Sequence, residues 1–428
     1  MFDSIIAQKW DNIELILVND GSTDGTRNVI ADYEPKFKAR GYEVVIVDQK
    51  NAGVCAAAKA GLECVTGDYV CCIDADDMLD PEYVSLPVSF LEENMDYDYT
   101  ICSRQTYAID KNGKQQTVFL MKYSENQKIT LEKFLLGLTE RAPWAYISRF
   151  EYFKKCRIIE TYFTDTKGAH EPGFTIPLIA FGGKIKFLNE KPLYFFNYND
   201  ANSHSRHNTP EKQIAHRNEY LRLCDIAINA LPEKVLNSSK KTWLKKIGEL
   251  GNLIVIFIEI AKLEQVKDIQ ESILIKIINF INDNLPSQYS IKRSDILQDH
   301  ELIFVNSVRS YFLEADIYTF EELNLSLQKR PKRIIFYGVL GKRGKKLLPA
   351  LLKYNIPQIE FWDKNGGQDR IKQANFSELN EDDMLVVIPM RNDIYEEVKQ
   401  SLKKSKCNNI ISYNASYIYL HIYIFSQC

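Results

Sequence analysis

Two apolar runs in the first eighty residues each end in carboxylates that are followed by turn residues. Asp20 follows the run Leu15–Val18, and Asp74 and Asp76 follow the run Tyr69–Ile73. Such runs predict parallel strands buried on both faces, and open α/β sheets bind ligands just past strand ends of this kind. Two aspartates spaced two residues apart can face one hard cation, and such a pair suits Mg²⁺ or Mn²⁺ holding a substrate diphosphate. The spacing therefore predicts a site for a metal and a diphosphate.

The other interpretation of these aspartates is a solvated acidic turn, because short motifs often occur by chance. Further motifs favour the chemical interpretation. These segments are VNDGSTDGT with Asp20, QKNAGVCAAAKAGL with Asn51 and Gly53, TGDYV with Gly67, DADD at 74–77, APWAYISRFEYF at 142–153, HEPGF at 170–174 and FLNEKPLYFFNYNDANSHS at 187–205. In the order and spacing of these segments, the chain resembles family 2 glycosyltransferases over about residues 1–207. The segments are specific to that family in combination, although none is specific alone.

The resemblance implies a GT-A fold, which is an α/β nucleotide-sugar-binding domain with a Rossmann-like mixed sheet, and it implies inversion at the transferred sugar. By the same resemblance, Asp20 contacts the base or the ribose of the nucleotide. Asp74, Ala75 and Asp76 meet the sugar nucleotide, with Asp76 and Asp74 as ligands of Mn²⁺ or Mg²⁺. The general base of such enzymes is a carboxylate in the acceptor half, and here that role falls on Glu171.

Three positions depart from the family pattern. The family opens with a strand whose end lines the nucleotide pocket, whereas this chain opens with MFDSIIAQKW, which resembles the helix after that strand. A misassigned start, a fragment and a sheet without its opening strand are the alternatives, and loss of an inner strand would leave backbone donors of its neighbours unpaired. Ala58 and Lys59 replace the usual Arg-Asn, so Lys59 offers the diphosphate a cation without the planar fork of an arginine. His170 and Glu171 replace Glu-Asp, which keeps a carboxylate but lengthens it by one methylene.

Asn51, Gly53 and Lys59 complete the expected nucleotide-sugar site, and Trp144 joins them through the same resemblance. Trp144 is expected either to form an aromatic wall for a sugar ring or to be a buried core tryptophan. His204 and His207 either approach the metal or lie in a surface loop. The loop is favoured, because histidines without spaced partners rarely bind metal.

The sequence predicts an α/β protein in three parts. Residues 1–207 form the glycosyltransferase domain, residues 208–328 form a helical region, and residues 329–428 form a small Rossmann-like α/β domain. In the first part, the predicted strands are 13–19, 43–48, 69–74 and 100–109, the last continuing through a hairpin, and the predicted helices are one before Gln8, then 25–39, 53–65 and one starting at Pro81.

The third part carries an incomplete nucleotide-binding pattern. Gly338, Gly341 and Gly344 recur at every third residue, which is not the dinucleotide fingerprint. Asp363 ends the next predicted strand, where a ribose-binding acid would lie, and basic residues surround the glycine turn. A nucleotide sensor and a docking domain are the alternatives, and the imperfect motif favours docking.

Composition fits an ordinary soluble protein of two or three domains, because 45% of the 428 residues are hydrophobic and 26% are charged. A net charge of −3 gives no argument for nucleic acid as a partner. We find no signal-peptide pattern and no apolar run of about 18 residues, and therefore expect a cytoplasmic protein. Nine scattered cysteines without a Cys-x-x-Cys pair predict reduced thiols. The basic segment KKTWLKKI at 240–247 leaves peripheral contact with the inner face of the membrane open, although a solvated helix face is favoured.

Together these observations predict a metal-dependent glycosyltransferase. It would transfer a sugar from a nucleotide-diphosphate sugar, with a UDP-sugar favoured, to a hydroxyl of a glycan or lipid-linked acceptor in bacterial surface polysaccharide synthesis. The alternative is a degenerate, non-catalytic relative that binds a nucleotide or a partner. A nucleotidyl or phosphoryl transferase is disfavoured, because no G-x-x-x-x-G-K-[ST] phosphate loop is present.

Overall fold

A computed structural model describes much of the first three hundred residues and shorter stretches beyond them. The described residues are 1–109, 115–121, 123, 128–162, 169–198, 209–261, 263, 266–284, 292–296, 301, 304–305, 308, 333–337, 359–363, 371–380, 383–387 and 409–412. The chain divides into two compact units, residues 1–265 and 266–428.

Strands and helices alternate in the first unit, and this confirms the expected α/β class. Its helices are α1 (Phe2–Ile6), α2 (Thr26–Ala39), α3 (Val54–Glu63), α4 (Ser85–Glu93), α5 (Leu131–Leu135), α6 (Phe150–Lys155), α7 (Ile158–Thr161), α8 (Glu171–Ala180), α9 (Pro210–Ala230) and α10 (Ser238–Ile260). Its strands are β1 (Glu14–Asp20), β2 (Glu43–Gln49), β3 (Tyr69–Val70), β4 (Met78–Leu79), β5 (Tyr99–Cys102), β6 (Arg104–Ile109), β7 (Gln115–Met121), β8 (Tyr146–Arg149), β9 (Ile185–Leu188) and β10 (Tyr194–Asn197).

β1 and β2 form a parallel pair along their whole length, with Asp20 opposite Gln49 at their carboxyl ends. Both strands lie within one residue of their predicted positions. Helix α3 packs closely on β1, because a Cβ at Gly61 would lie 3.2 Å from the Val18 side chain. The pair therefore holds Asp20 at the sheet edge where the sequence predicted a ligand site.

In the described part of the chain, β1 has β2 as its one strand neighbour, and β3 has β8 as its one strand neighbour. No described strand corresponds to the opening strand that the family resemblance implies.

The predicted parallel strand 69–74 is wrong in both length and direction. Only Tyr69 and Val70 pair as a strand, and they run antiparallel to β8, with Tyr69 opposite Arg149. The chain then leaves this sheet, and β4 pairs with β10 in a different sheet. Residues 71–77 thus cross from one sheet to the next, which places their aspartates between the two. The helix predicted from Pro81 also begins later, at Ser85.

The other strands of the first unit form two four-stranded sheets, with orders β3-β8-β5-β9 and β4-β10-β6-β7. The predicted strand 100–109 is divided between them at Ser103. This buried serine donates its N–H to Leu188 O, at 3.0 Å, and its hydroxyl to Lys191 O, at 2.7 Å. The predicted hairpin is present as the antiparallel pair β6–β7, although its turn at 111–113 lies outside the described residues. Parallel and antiparallel pairs occur together, as expected for a mixed sheet.

Helices α9 and α10 belong to the same compact unit as residues 1–207. Much of the basic segment at 240–247 serves their packing. Lys240 and the indole N–H of Trp243 both bind the buried carboxylate of Glu132, and Lys241 Nζ donates to Leu231 O at 2.7 Å. These contacts support an ordinary helix face rather than a membrane-binding one. No helix in the described residues combines the length and the apolar character needed to span a membrane.

The second unit contains one parallel five-stranded sheet among its described residues. Its elements are α11 (Lys267–Asn284), β11 (Arg333–Tyr337), β12 (Ile359–Asp363), β13 (Ile371–Gln373), β14 (Asp383–Val387) and β15 (Asn409–Ser412), with sheet order β13-β12-β11-β14-β15. Ile335, Trp362, Leu379 and Leu385 form its buried core. Asp363 ends β12 and is buried. The glycine turn with Gly338, Gly341 and Gly344 lies outside the described residues, so its role stays a prediction.

Candidate active site

Three aspartates come together in the segment that crosses between the two sheets. One carboxylate oxygen from each of Asp74, Asp76 and Asp77 lies within 4.8 Å of the other two. The structure thus brings the two predicted metal ligands together and adds a third carboxylate. Asp76 and the intervening Ala75 are exposed, whereas Asp74 is half-buried. An open cluster of carboxylate oxygens is the donor set that Mg²⁺ and Mn²⁺ prefer.

Asp77 is the member of this cluster that the sequence analysis did not select. It is only 1% exposed, and it accepts hydrogen bonds from Tyr194 Oη at 2.6 Å and from the Asn197 N–H at 2.7 Å. Burial raises the pKa of Asp77 to about 6, although these two hydrogen bonds oppose the shift. Asp77 therefore anchors the acidic segment to β10. Its partners lie 117 and 120 residues away in sequence, so no local pattern could have identified this role.

The pKa of Asp74 is raised more strongly than that of Asp77. Burial, together with the charges of Asp77, Glu171 and Asp76, raises the pKa of Asp74 to about 8, against a hydrogen bond from the Trp144 side chain. A pKa this high means that the protein alone does not supply enough positive charge for these carboxylates. A divalent cation would supply it, so the residues present fit a bound metal.

Trp144 lies beside this cluster as part of a packed aromatic layer. It is 3% exposed and stacks on Tyr194, with ring centroids 4.0 Å apart and an interplanar angle of 5°. The Arg104 guanidinium lies 5.4 Å from the Trp144 ring centroid. Of the two alternatives for Trp144, the burial supports a core tryptophan, while its hydrogen bond to Asp74 still ties it to the site.

Asp20, Asn51 and Gly53 are brought together at the carboxyl ends of β1 and β2. The Asp20 carboxylate accepts hydrogen bonds from Gln49 Nε2 at 2.7 Å and from the backbone N–H groups of Ala52 and Gly53 at 2.9 and 2.8 Å. Asn51 Nδ2 donates to Asp20 O at 3.0 Å. Gly53 has a φ of 91°, in the left-handed region that favours glycine, and it immediately precedes α3. Asp20 thus clamps the loop that begins α3.

Glu171 is the first residue of α8 and faces the acidic cluster closely enough to raise the pKa of Asp74. Its Oε2 atom is buried and has no hydrogen-bond partner in the described part of the chain. The preceding His170 is buried too, and its Nδ1 lies 3.1 Å from Tyr162 Oη. Burial lowers the pKa of His170, an effect that the neighbouring Glu171 partly offsets. A carboxylate with a bare oxygen next to a metal-binding cluster can accept a proton.

This geometry agrees with the comparison against known families. The family model described as "Glycosyl transferase family 2" matches residues 1–157. These residues belong to that family. The match includes Asp20 and the acidic cluster and ends before Glu171. The predicted family and the GT-A class of fold are thereby confirmed for residues 1–157, and the match agrees with the predicted glycosyltransferase class of enzyme.

Curated relatives of the chain are also named as glycosyltransferases. "Glycosyltransferase GlyA" of Streptococcus pneumoniae is 27% identical over 196 residues, which are 45% of this chain and 26% of that protein. "Uncharacterized glycosyltransferase YibD" of Escherichia coli is 25% identical, over 52% of this chain and 63% of that protein. "Putative glycosyltransferase EpsH" of Bacillus subtilis is 34% identical, over 45% and 55% respectively. The chain therefore spans less than two thirds of the length of each.

Among solved structures, "S. aureus TarS 1-349 in complex with UDP-GlcNAc" has a TM-score of 0.46 and 19% identity, covering 75% of this chain and 84% of that chain. A similarity at this level says nothing about the ligand of the present protein.

The remaining predicted residues fall into two groups. Lys59 lies half-buried on α3 of the family 2 domain, six residues after the Gly53 turn. His204 and His207 lie outside the described residues. The roles of Asp20, Asn51, Gly53, Lys59 and Trp144 toward a nucleotide sugar, and that of Glu171 as a base, stay predictions.

Proposed function

We propose that this protein transfers a sugar from a nucleotide-diphosphate sugar to a hydroxyl of a glycan or lipid-linked acceptor, with inversion and with a divalent metal. The observation that carries the proposal is the cluster of Asp74, Asp76 and Asp77 inside the family 2 domain, with the bare carboxylate of Glu171 beside it. A UDP-sugar is the favoured donor, and bacterial surface polysaccharide synthesis is the favoured setting.

The acidic cluster would hold the metal through Asp74 and Asp76. Asp77 already binds Tyr194 and Asn197, so its part is to fix the segment in place. Bound Mn²⁺ or Mg²⁺ would act as a Lewis acid toward the leaving diphosphate. The Trp144 indole orients Asp74 by donating a hydrogen bond to it, and Asp76 stays exposed toward the donor.

Glu171 would act on the acceptor. A hydroxyl of the acceptor attacks the anomeric carbon and forms the new C–O bond, the bond from that carbon to the diphosphate oxygen breaks, and Glu171 takes the hydroxyl proton. Inversion requires the base to lie on the face opposite the leaving group. The position of Glu171 at the start of α8, on a different element from the aspartates, is compatible with that arrangement.

The nucleotide would bind at the carboxyl ends of β1 and β2, where Asp20, Asn51 and Gly53 meet. Because the Asp20 carboxylate already receives three hydrogen bonds, we infer that it shapes the pocket mainly by holding the loop at Ala52 and Gly53. Lys59 on α3 would add positive charge toward the diphosphate.

The test begins with calorimetric titration of UDP in the presence of Mn²⁺ and again with EDTA. Metal-dependent binding is expected, followed by turnover with a panel of nucleotide sugars. Other nucleoside diphosphates are tried if UDP does not bind. A chain that binds none of them, with or without metal, would contradict the proposal.

Glu171→Gln separates transfer from donor binding. Transfer should fall by about 10²–10⁴-fold, as expected for loss of a general base, while the affinity for the donor nucleotide stays at the wild-type level. Glu151→Gln, a change at an exposed glutamate of α6, is the matched control. Wild-type transfer by Glu171→Gln would assign the base to another residue.

One observation favours a second candidate function, a non-catalytic relative that binds a nucleotide or a partner. Ala58 and Lys59 stand where the family pattern has Arg-Asn, so the planar fork of an arginine is missing near the diphosphate. Metal-dependent nucleotide binding without turnover of any nucleotide sugar would support this second function.

A further inference from the structure

A small cavity lies where α9 and α10 pack beside the family 2 domain. Its volume is about 20 Å³, which is room for about one water-sized group. Arg217, Tyr220 and Cys224 line it from one side of α9, since residues three or four positions apart share a helix face. Arg141, which lies within the matched family 2 segment, also lines it. The cavity therefore brings a residue of the family 2 domain together with helices that the family match does not include.

Two glycines of α10 hold this cavity in shape. A Cβ at Gly251 would lie 2.3 Å from Leu135 O, so the helix backbone packs directly on the end of α5. A Cβ at Gly248 would lie 3.0 Å from Leu221 Cδ1 on α9. Packing this close leaves the walls little freedom to move, so the groups that line the cavity stay where the backbone places them.

The Tyr220 hydroxyl is the first sign that this cavity takes a ligand. Its oxygen is buried and has no hydrogen-bond partner in the described part of the chain. Buried polar atoms are almost always paired, and a bound water or ion is a common partner where the protein supplies none. The guanidinium carbons of Arg141 and Arg217 lie 5.1 and 5.8 Å from the centroid of the same ring. Two cations therefore lie beside a buried hydroxyl that lacks a partner.

The two arginines differ in how their charge is matched. Arg217 Nε donates to Glu259 Oε2 at 2.8 Å, and a second Arg217 nitrogen binds the same carboxylate. The Arg141 backbone is bonded too, because its N–H donates to Glu140 Oε1 and its carbonyl accepts from Thr175 Oγ1, both at 2.9 Å. The half-buried Arg141 guanidinium, by contrast, makes no hydrogen bond or ion pair with any described residue. Burying a cation in this way is costly unless an anion accompanies it.

The donors around the cavity favour an anion over a neutral molecule. An arginine side chain has five N–H donors and no acceptor, and it stays charged in proteins. The carboxylates of Glu171 and Glu259 act on the Arg141 guanidinium only at longer range. A bound anion would accept hydrogen bonds from Arg141 and Tyr220 and would also compensate the positive charge, which a water molecule cannot do.

We propose that this cavity is a binding site for one small inorganic anion, held by the guanidinium of Arg141 and the hydroxyl of Tyr220. The volume limits the ligand to about the size of a water molecule, so a halide such as chloride fits, whereas a phosphate ester or a nucleotide is too large. The bound ion joins α9 to the family 2 domain and stabilises the packing of the helical region on that domain. This effect on stability does not require transferase activity.

The first test measures the thermal midpoint of the full chain in potassium chloride and in potassium gluconate at equal ionic strength. Gluconate is too large for the cavity, so only chloride should bind. Saturating chloride should raise the midpoint by about 2–4 °C, as expected for an ion that binds the folded state alone. Equal midpoints in the two salts would overturn the proposal.

Arg141→Gln should abolish the rise in midpoint that chloride causes. In gluconate this variant should melt no lower than the wild type, because the wild type then carries a cation without its anion. Arg222→Gln is the matched control, since it removes one positive charge from an exposed position of α9, and it should keep the full response to chloride. A response of Arg141→Gln equal to that of the wild type would overturn the proposal.

Tyr220→Phe removes only the hydroxyl that lacks a partner. The chloride concentration that gives half of the stabilisation should rise about tenfold, as expected for the loss of one hydrogen bond to a charged group. Tyr42→Phe is the control, because the Tyr42 hydroxyl is also buried but donates to Ile5 O at 3.1 Å, and it should leave that concentration unchanged. An unchanged concentration in Tyr220→Phe would place the chloride elsewhere and overturn the proposal.

Bromide locates the ion, because it has the charge of chloride and gives an anomalous X-ray signal. Crystals of the protein soaked in bromide should show an anomalous peak in the cavity beside Tyr220 Oη and the Arg141 guanidinium. A cavity that holds water and gives no anomalous peak would overturn the proposal. None of these measurements uses transferase activity, so a failure of the proposed function would leave their outcomes unchanged.

Discussion

Asp20 and Asp74 follow apolar runs of the same appearance, yet their carboxylates are in opposite physical states. Asp20 receives three hydrogen bonds, from Gln49 at the end of β2 and from Ala52 and Gly53 in the loop that follows. Asp74 is surrounded by three further carboxylates, and its pKa is raised to about 8, with burial as the largest cause. A carboxylate that receives hydrogen bonds from the protein stabilises the fold. A partly buried carboxylate surrounded by other carboxylates lacks positive charge, and such a site is a candidate for binding a cation. Two apolar runs of similar appearance are therefore followed by a clamped carboxylate in one place and by a cluster of mutually repelling carboxylates in the other.

The first way to test this contrast is Asp76→Asn. This change should lower metal-dependent turnover about a thousandfold, or about 4 kcal/mol of transition-state stabilisation, because the metal loses a charged ligand. The side chain is exposed, so the thermal midpoint without metal should stay within error of the wild type. Turnover assays across a Mn²⁺ titration measure the effect. A midpoint that falls as far as the activity would show that Asp76 supports the fold instead.

The second test uses pH on the metal-free protein. The folded pKa of Asp74 is raised to about 8 from an ordinary value of 3.8, so the folded state holds a proton that the unfolded chain releases. Stability from this group is present below about pH 4 and is lost as pH rises toward 8, with a slope of at most about 1.4 kcal/mol per pH unit. Calorimetric unfolding between pH 5 and about 8 should show the decline.

Saturating Mn²⁺ should remove that decline, because the cation replaces the proton, and Asp74→Asn should remove it without metal. Asp68→Asn, a change at the exposed aspartate directly before β3, serves as the control and should keep the wild-type slope of stability against pH. A slope in Asp74→Asn equal to that of the wild type would place the titration on another group.

Sequence alone indicated which residues meet at the site, but not what each does there. Asp20, Asn51 and Gly53 meet because β1 and β2 are parallel neighbours, which apolar runs and turns can predict. The prediction of a parallel strand at 69–74 was wrong because the pairing partner, β8, lies about eighty residues later in the chain. It runs antiparallel to β3 and pairs only with Tyr69 and Val70. Asp77 was missed for a related reason. Its anchoring role depends on Tyr194, which lies 117 residues away in sequence, on β10.

The third test, with the smallest expected effect, removes the clamp. Asp20→Ala should lower the free energy of unfolding by about 2 kcal/mol, since the backbone N–H groups of Ala52 and Gly53 lose a charged acceptor and must bind water instead. Chemical denaturation of the metal-free protein measures the loss, and Asp32→Ala, at an exposed position on α2, is the control. Metal affinity should change little, because Asp20 is not a member of the aspartate cluster. If Asp20→Ala kept wild-type stability but lost nucleotide binding, Asp20 would be a ligand-binding residue, as is proposed for Asp74, and the contrast between the two aspartates would disappear.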